Sequence, residues 1–150
     1  MNNKIIIGSL DKVDFPDLNL FDVPCKIDTG AETSAIHCHK VKLIERQGKE
    51  IITFYLLDPE HPQYSGIEFR SEDFKEKKIK SSFGHTEFRY VIKSKIKLFG
   101  RVIKLDLTLA DRERMKFPVL LGKKLLKNRF LVDVGLKNLS YNLKNIKIGK

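Results

Sequence analysis

Val23-Pro24-Cys25-Lys26-Ile27-Asp28-Thr29-Gly30-Ala31-Glu32-Thr33-Ser34-Ala35 is the stretch on which the reading of this 150-residue chain turns. An apolar-leaning strand, Val23 to Ile27, delivers an acid into a tight Thr-Gly turn, and a second β-prone stretch carries the chain away. Gly30 has no Cβ, so the backbone can turn sharply there and approach another chain closely. The Thr29 hydroxyl can hydrogen-bond locally or across an interface and hold the neighbouring carboxylate in place. An acid so placed can share a proton with a second acid a few ångströms away and activate water. Taken alone, Asp-Thr-Gly is three common turn residues, and a plain strand-ending turn is the competing reading.

Two further stretches shift that balance. Phe117-Pro118-Val119-Leu120-Leu121-Gly122-Lys123-Lys124-Leu125-Leu126 reads as a short apolar strand, a glycine and a basic helical turn. Lys80-Ser81-Ser82-Phe83-Gly84-His85-Thr86-Glu87-Phe88-Arg89-Tyr90-Val91-Ile92 reads as a β-hairpin with a small-residue tip. In this order, Asp-Thr-Gly-Ala, a glycine-tipped hairpin and apolar-apolar-Gly-basic-x-Leu-Leu, the chain resembles a retropepsin. More narrowly, it resembles the bacterial retropepsin-like family labelled as ATP-dependent zinc proteases and linked with RimK-type glutamate ligases. The matching residues are Ile27 to His37, Lys80 to Ile92, Arg114-Met115 and Phe117 to Leu126, continuing through Arg129 to Asp133.

The resemblance implies an all-β acid-protease barrel with one short C-terminal helix, and an aspartic endopeptidase. Its catalytic turn would be Asp28, Thr29 and Gly30. The hairpin tip Ser81, Ser82, Phe83, Gly84 and His85 would be the flap that closes over substrate and excludes water; an ordinary β-turn is the plainer reading. Ala31, Glu32, Gly122, Lys123 and Arg89 would support the site. Gly122 is expected to allow close packing beside the turn, and Glu32 to pair with Lys123. His85 and Arg89 suit substrate carboxylates, or simply solvent. Two positions depart from the family pattern: relatives often carry a basic residue at Glu32 and Arg at Lys123, and Lys cannot form the bidentate fork of Arg.

Peptide hydrolysis by this route needs two carboxylates facing one water. The chain holds a single Asp-Thr-Gly, so the second Asp28 is expected from another copy across a two-fold axis. C-terminal strands pairing between chains, as in the retropepsin resemblance, would help hold that homodimer.

Length and composition set the frame. One domain is expected, large enough for a real core. No apolar run approaches the roughly 18 residues of a membrane span, and Ile5-Ile6-Ile7 is too short for a signal peptide. A cytoplasmic address is the expectation, with Cys25 and Cys38 as free thiols. His37-Cys38-His39 is the one cluster of metal-ligand types; His37 and His39 would share a strand face, but a structural zinc site wants four ligands. The expectation is no metal and no cofactor, with a zinc hydrolase on His37, Cys38 and His39 as the remote alternative. No phosphate loop of the type Gly-x-x-x-x-Gly-Lys-Ser/Thr is present, so ATP binding is not expected.

Net charge is +10, unevenly spread. Residues 1–74 hold eight Lys/Arg against thirteen Asp/Glu, a balance of −5, while residues 75–150 hold twenty-one against six, or +15. A basic half can attract an acidic partner; a solubilising lysine surface is the competing reading. No aromatic platform accompanies it, so nucleic acid is not the expected partner. An acidic, glutamate-tailed protein or peptide and a RimK-type ligase are the partners that the resemblance implies. A non-catalytic module gripping such a partner is the alternative function.

Along the chain, Lys4 to Gly8 reads as a short strand, and Asp11 to Asp22 as a loop or edge strand. Ser34 to Glu45 and Glu50 to Leu57 read as a hairpin about Gln47-Gly48-Lys49. Lys93 to Leu98 continues the sheet and turns at Phe99-Gly100-Arg101 into the alternating Ile103, Leu105, Leu107 and Leu109. Asp111 to Met115 reads as a loop, Lys123 to Lys127 as the single helix of note, Phe130 to Val134 as a strand and Leu139 to Ile148 as strand-like tail.

Overall fold

The computed structural model describes residues 3–80, 84–111 and 116–147, with the main chain alone for Ile79, Lys80 and Lys147. Its strands are β1 (Ile5–Ile7), β2 (Leu10–Phe15), β3 (Leu20–Ile27), β4 (Ser34–Arg46), β5 (Lys49–Leu56), β6 (Glu68–Ser71), β7 (Phe74–Lys80), β8 (Thr86–Leu98), β9 (Arg101–Asp111), β10 (Val119–Leu121) and β11 (Phe130–Val132). Two short helices follow late in the chain, α1 (Lys123–Leu126) and α2 (Leu139–Lys147). The expected all-β barrel is therefore present. The hairpins expected at Gln47-Gly48 and Phe99-Gly100 are the β4–β5 and β8–β9 pairs.

What closes the barrel is β10. It inserts between β3 and β4, parallel to the first (Val119 beside Cys25, Leu121 beside Ile27) and antiparallel to the second (Val119 beside Ile36). β4 runs parallel to β9, β9 pairs with β8, and β8 meets β2 at Lys97 and Asp14. With β2 paired to β3, the ring β10-β3-β2-β8-β9-β4 returns to its start. Closure pairs the edges that an open sheet would expose. Pro24 lies where β3 has β2 beside it but has not yet met β10, so its missing N–H breaks no bond to β10.

The alternating apolar residues of these strands fill the ring. Val13, Phe15, Val23, Ile36, Ile52, Ile96, Leu107, Val119 and Leu121 are essentially inaccessible to solvent. Both cysteines are free and fully buried. Burial, then the carboxylate of Asp11, pushes the Cys25 thiol far above its usual range; burial, then Asp111, does the same to Cys38. Neither thiol is therefore expected to react with a disulfide reagent at mildly alkaline pH until the chain is unfolded; a thiol titration with and without denaturant checks this.

Two expectations need correction. Asp11 to Asp22, expected as a loop or edge strand, is strand for most of its length but not an edge: Leu10–Phe15 is a barrel strand paired to β3 and β8, with Val13 and Phe15 in the core, linked by a 3-10 turn at Pro16–Leu18 to β3. Its acids point at hydrogen-bond partners, which is why a polar-looking stretch sits inside the sheet. The tail is not strand-like either, because Leu139–Lys147 is helical. Leu139, Leu143 and Ile146 recur at helical spacing, and the helix start is capped from far away. The buried Asp11 carboxylate accepts the N–H groups of Ser140 (3.0 Å) and Tyr141 (3.1 Å), and Ser140 Oγ accepts that of Phe99 (2.7 Å). Lys144 Nζ then donates to Asp14 and Asp22. Leu139–Lys147 is thus a helix fastened to its own barrel.

Removing Asp11 strands two helix N–H groups at a buried site. Asp11→Ala is expected to destabilise the fold by about 2 kcal/mol, read as a lower denaturant midpoint. Among the described residues, no helix is long and apolar enough to cross a membrane.

Candidate active site

Because β10 occupies the space between β3 and β4, the chain cannot pass directly from one to the other. It must arch over the end of β10, and Asp28 to Thr33 is that arch. Main-chain bonds fix both feet: Asp28 N–H donates to Leu121 O (2.8 Å), and Lys123 N–H and Lys124 N–H donate to Ala31 O (2.8 Å) and Glu32 O (3.0 Å). Gly30 N–H donates to Asp28 Oδ1 (3.0 Å), which orients the carboxylate. Asp28 is half-buried, whereas Thr29 and Gly30 are exposed at the crest.

Gly122 is the keystone. A Cβ there would lie 2.7 Å from the carbonyl carbon and oxygen of Thr33 and 2.9 Å from Ala31 O, closer than side-chain carbons approach main chain. Its N–H donates to the buried Ser34 Oγ (3.1 Å). The expected close packing of Gly122 on the turn is thus seen directly. The Glu32–Lys123 side-chain pair is not formed: the link between these segments is main chain to main chain, and both side chains point to solvent.

The hairpin β7–β8 pairs from Phe74 and Ile92 out to Lys80 and Thr86. Its tip residues Ser81, Ser82 and Phe83 lie outside the described residues, as do Arg114 and Met115; Gly84 and His85 are exposed beside the tip. Arg89 is paired with Glu87 (3.2 Å) instead of being simply solvated. The hairpin is joined to the acidic turn through Lys77, whose Nζ donates to Thr33 Oγ1 (3.2 Å), itself 3.4 Å from Thr108 Oγ1. Lys77, Thr33, Ser34 and Thr108 were not anticipated from the sequence. Only the run of two hydroxyls entering an apolar strand, Thr33-Ser34, gives a local signal; the partners come from distant strands.

His37 and His39 do face one side of β4, but that side is covered by the loop after β5. His37 Nδ1 lies 3.4 Å from Asp58 Oδ2, and His39 Nε2 is 2.8 Å from Tyr64 Oη. Cys38, between them, belongs to the core on the other face. Among the described residues, no three His, Cys, Asp or Glu side chains converge as metal ligands. These histidines fasten the 58–66 loop to the barrel.

The crystal structure of Lpg0085 from Legionella pneumophila, a protein of unknown function, superposes with a TM-score of 0.70 over 92% of this chain and 98% of that one, at 25% identity. Proteins named "Probable alpha-L-glutamate ligase" are similar in sequence: 36% identity over 132 residues in Shewanella pealeana and 31% over 134 residues in Desulfotalea psychrophila. These matches take in 88% and 89% of this chain but 29% of each relative, so the chain spans under a third of their length. A family model described as "Retropepsin-like aspartic endopeptidase RimB" matches residues 6–142, which includes the whole arch, the hairpin and β10. The chain belongs to the RimB-like family of retropepsin-like proteins.

Proposed function

We propose that the protein is an aspartic endopeptidase that works as a homodimer, with one Asp28 from each subunit. The observation that carries this reading is Asp28 itself: a half-buried carboxylate oriented by the Gly30 main chain at the foot of an arch whose crest is exposed, in a chain with a single Asp-Thr-Gly. Two such acids brought face to face hold one proton between them, since like charges that close do not both ionise. The ionised acid takes a proton from water as that water attacks the scissile carbonyl; the protonated acid hydrogen-bonds the carbonyl oxygen. The β7–β8 hairpin, tied to the arch by Lys77, closes over the extended peptide.

An apolar patch supports the dimer. Ile6 and Leu131, directly paired between β1 and β11, are 50% and 55% exposed, and Val134 is 79% exposed. Ser9 connects this patch to the acid-bearing strand, accepting from Ile27 N–H (2.9 Å) and donating its own N–H to Leu136 O (2.8 Å). A partner seated there covers the patch and approaches the strand that carries Asp28.

Relatives that contain a similar stretch are named glutamate ligases. From this we infer substrates that are acidic, glutamate-tailed proteins, and a RimK-type ligase as functional partner. The +15 balance of residues 75–150 suits such substrates. Cleavage of glutamate-extended peptides beside matched neutral ones tests this. Selective cutting of the acidic set is expected; equal rates would remove the acidic specificity, and binding without cutting by an intact dimer would favour a non-catalytic module.

A further inference from the structure

Three of the four histidines, His37, His39 and His61, meet at one loop, residues 58–66, which joins β5 to β6. Its first attachment is Asp58, whose Oδ2 is 3.4 Å from Nδ1 of the buried His37. Its last is Tyr64, whose hydroxyl is 2.8 Å from His39 Nε2. Between them, the Gln63 side chain does what a neighbouring strand would do. Its Nε2 donates to Phe21 O (2.6 Å), and its Oε1 accepts from Phe21 N–H (3.1 Å). β10 meets β3 only from Cys25 onward, so Gln63 pairs a stretch of β3 that β10 does not reach.

His61 holds Gln63 in place. Its Nδ1 accepts the Gln63 N–H (3.1 Å), which requires a lone pair on that nitrogen. A protonated imidazole has two donors and no acceptor, so this bond exists only while His61 is neutral. The groups that act on His61 are Asp58 in the same loop and His37 across on β4. Partial burial, opposed by Asp58 and reinforced by His37, holds His61 below the usual imidazole range. His39, on Tyr64, and Glu60 are the other titratable groups at the loop, and on the β3 side Asp22 is paired with Lys144 (2.8 Å). Because the shut loop favours neutral His61, its closure is complete above about pH 6.5. Closure weakens as pH falls through that range, since the open loop takes up the proton more readily. Protonation of His37 acts the other way, turning its contact with Asp58 into an ion pair.

We propose that the 58–66 loop is an acid-sensitive latch: protonation of His61 frees Gln63 from the Phe21 edge of β3, while Asp58 stays on His37 as the hinge. β3 runs on from Phe21 to Ile27 and the Asp28 turn, so the latch sits on the strand that carries the acid. Its opening needs no peptidase chemistry.

Hydrogen exchange read by mass spectrometry on the whole chain, corrected for intrinsic rates, tests this at about pH 7.5 and about pH 5, either side of the imidazole range. Segments 58–66 and 20–24 are expected to lose protection by roughly fivefold at the lower pH, as for the loss of about one hydrogen bond, while β9 keeps its protection. His61→Asn supplies a side-chain oxygen that accepts an N–H two residues on but does not titrate. This variant is expected to keep both segments protected at both pH values. Gln63→Ala is expected to expose residues 20–24 at both, with no pH dependence left in that segment. Equal protection of the wild-type loop at the two pH values overturns the proposal. So does a pH response that persists in His61→Asn, or a loss of protection that β9 shares equally, which is global acid unfolding.

Discussion

Asp28→Asn is expected to leave the barrel folded and to lower peptide hydrolysis by roughly 10³-fold or more, with the loss in kcat and little change in KM. The amide keeps the carboxylate's shape, and its Oδ1 can still accept from Gly30 N–H, so the arch has no reason to move. What it loses is the ability to ionise and to pass a proton. With both copies changed, neither acid can deprotonate water nor protonate the carbonyl oxygen, and positioning alone remains. Steady-state kinetics on a glutamate-extended peptide, with circular dichroism as the control for folding, measure this. Activity within tenfold of the parent would assign the chemistry elsewhere.

Gly122→Ala is expected to have the second-largest effect, by a different route. The new methyl meets main chain of both Thr33 and Ala31, not the flexible end of a side chain. Something rigid must shift, at a cost of about 1–3 kcal/mol in stability. The segments that shift are the feet of the arch, so Asp28 moves with them. A displacement near 1 Å at a reacting group lowers rate by about 10²-fold. A folded protein with a lower melting temperature and roughly that loss in kcat is the expected outcome. Retention of full activity would mean that the arch tolerates a displaced foot.

The arch was legible in the sequence because its signals are local. A β-prone run, an acid, Thr-Gly and a second β-prone run lie within thirteen residues, and the glycine in Leu-Leu-Gly marks a close approach. The hairpins at Gln47-Gly48 and Phe99-Gly100 were legible for the same reason. The tail was not. Leu139, Leu143 and Ile146 carry a helical period, but Tyr141, Asn142 and Asn145 weaken its helix propensity, and the acid that caps the helix stands 129 residues away in β2. Distance also hid Lys77 from Thr33 and Tyr64 from His39. The Glu32–Lys123 pair was implied by the resemblance alone, yet the main chain joins their segments and leaves both residues exposed.

The claim that most needs testing is that one active site takes Asp28 from two chains. Wild-type and Asp28→Asn chains are unfolded together in varied ratio, refolded, and assayed for peptide hydrolysis, with light scattering to verify a particle of twice the 17.4 kDa chain mass. If both acids are required, mixed dimers are inactive, and activity per wild-type chain falls in proportion to the wild-type fraction. Activity per wild-type chain that stays constant at every ratio would mean that each chain carries a complete site, and would contradict the account.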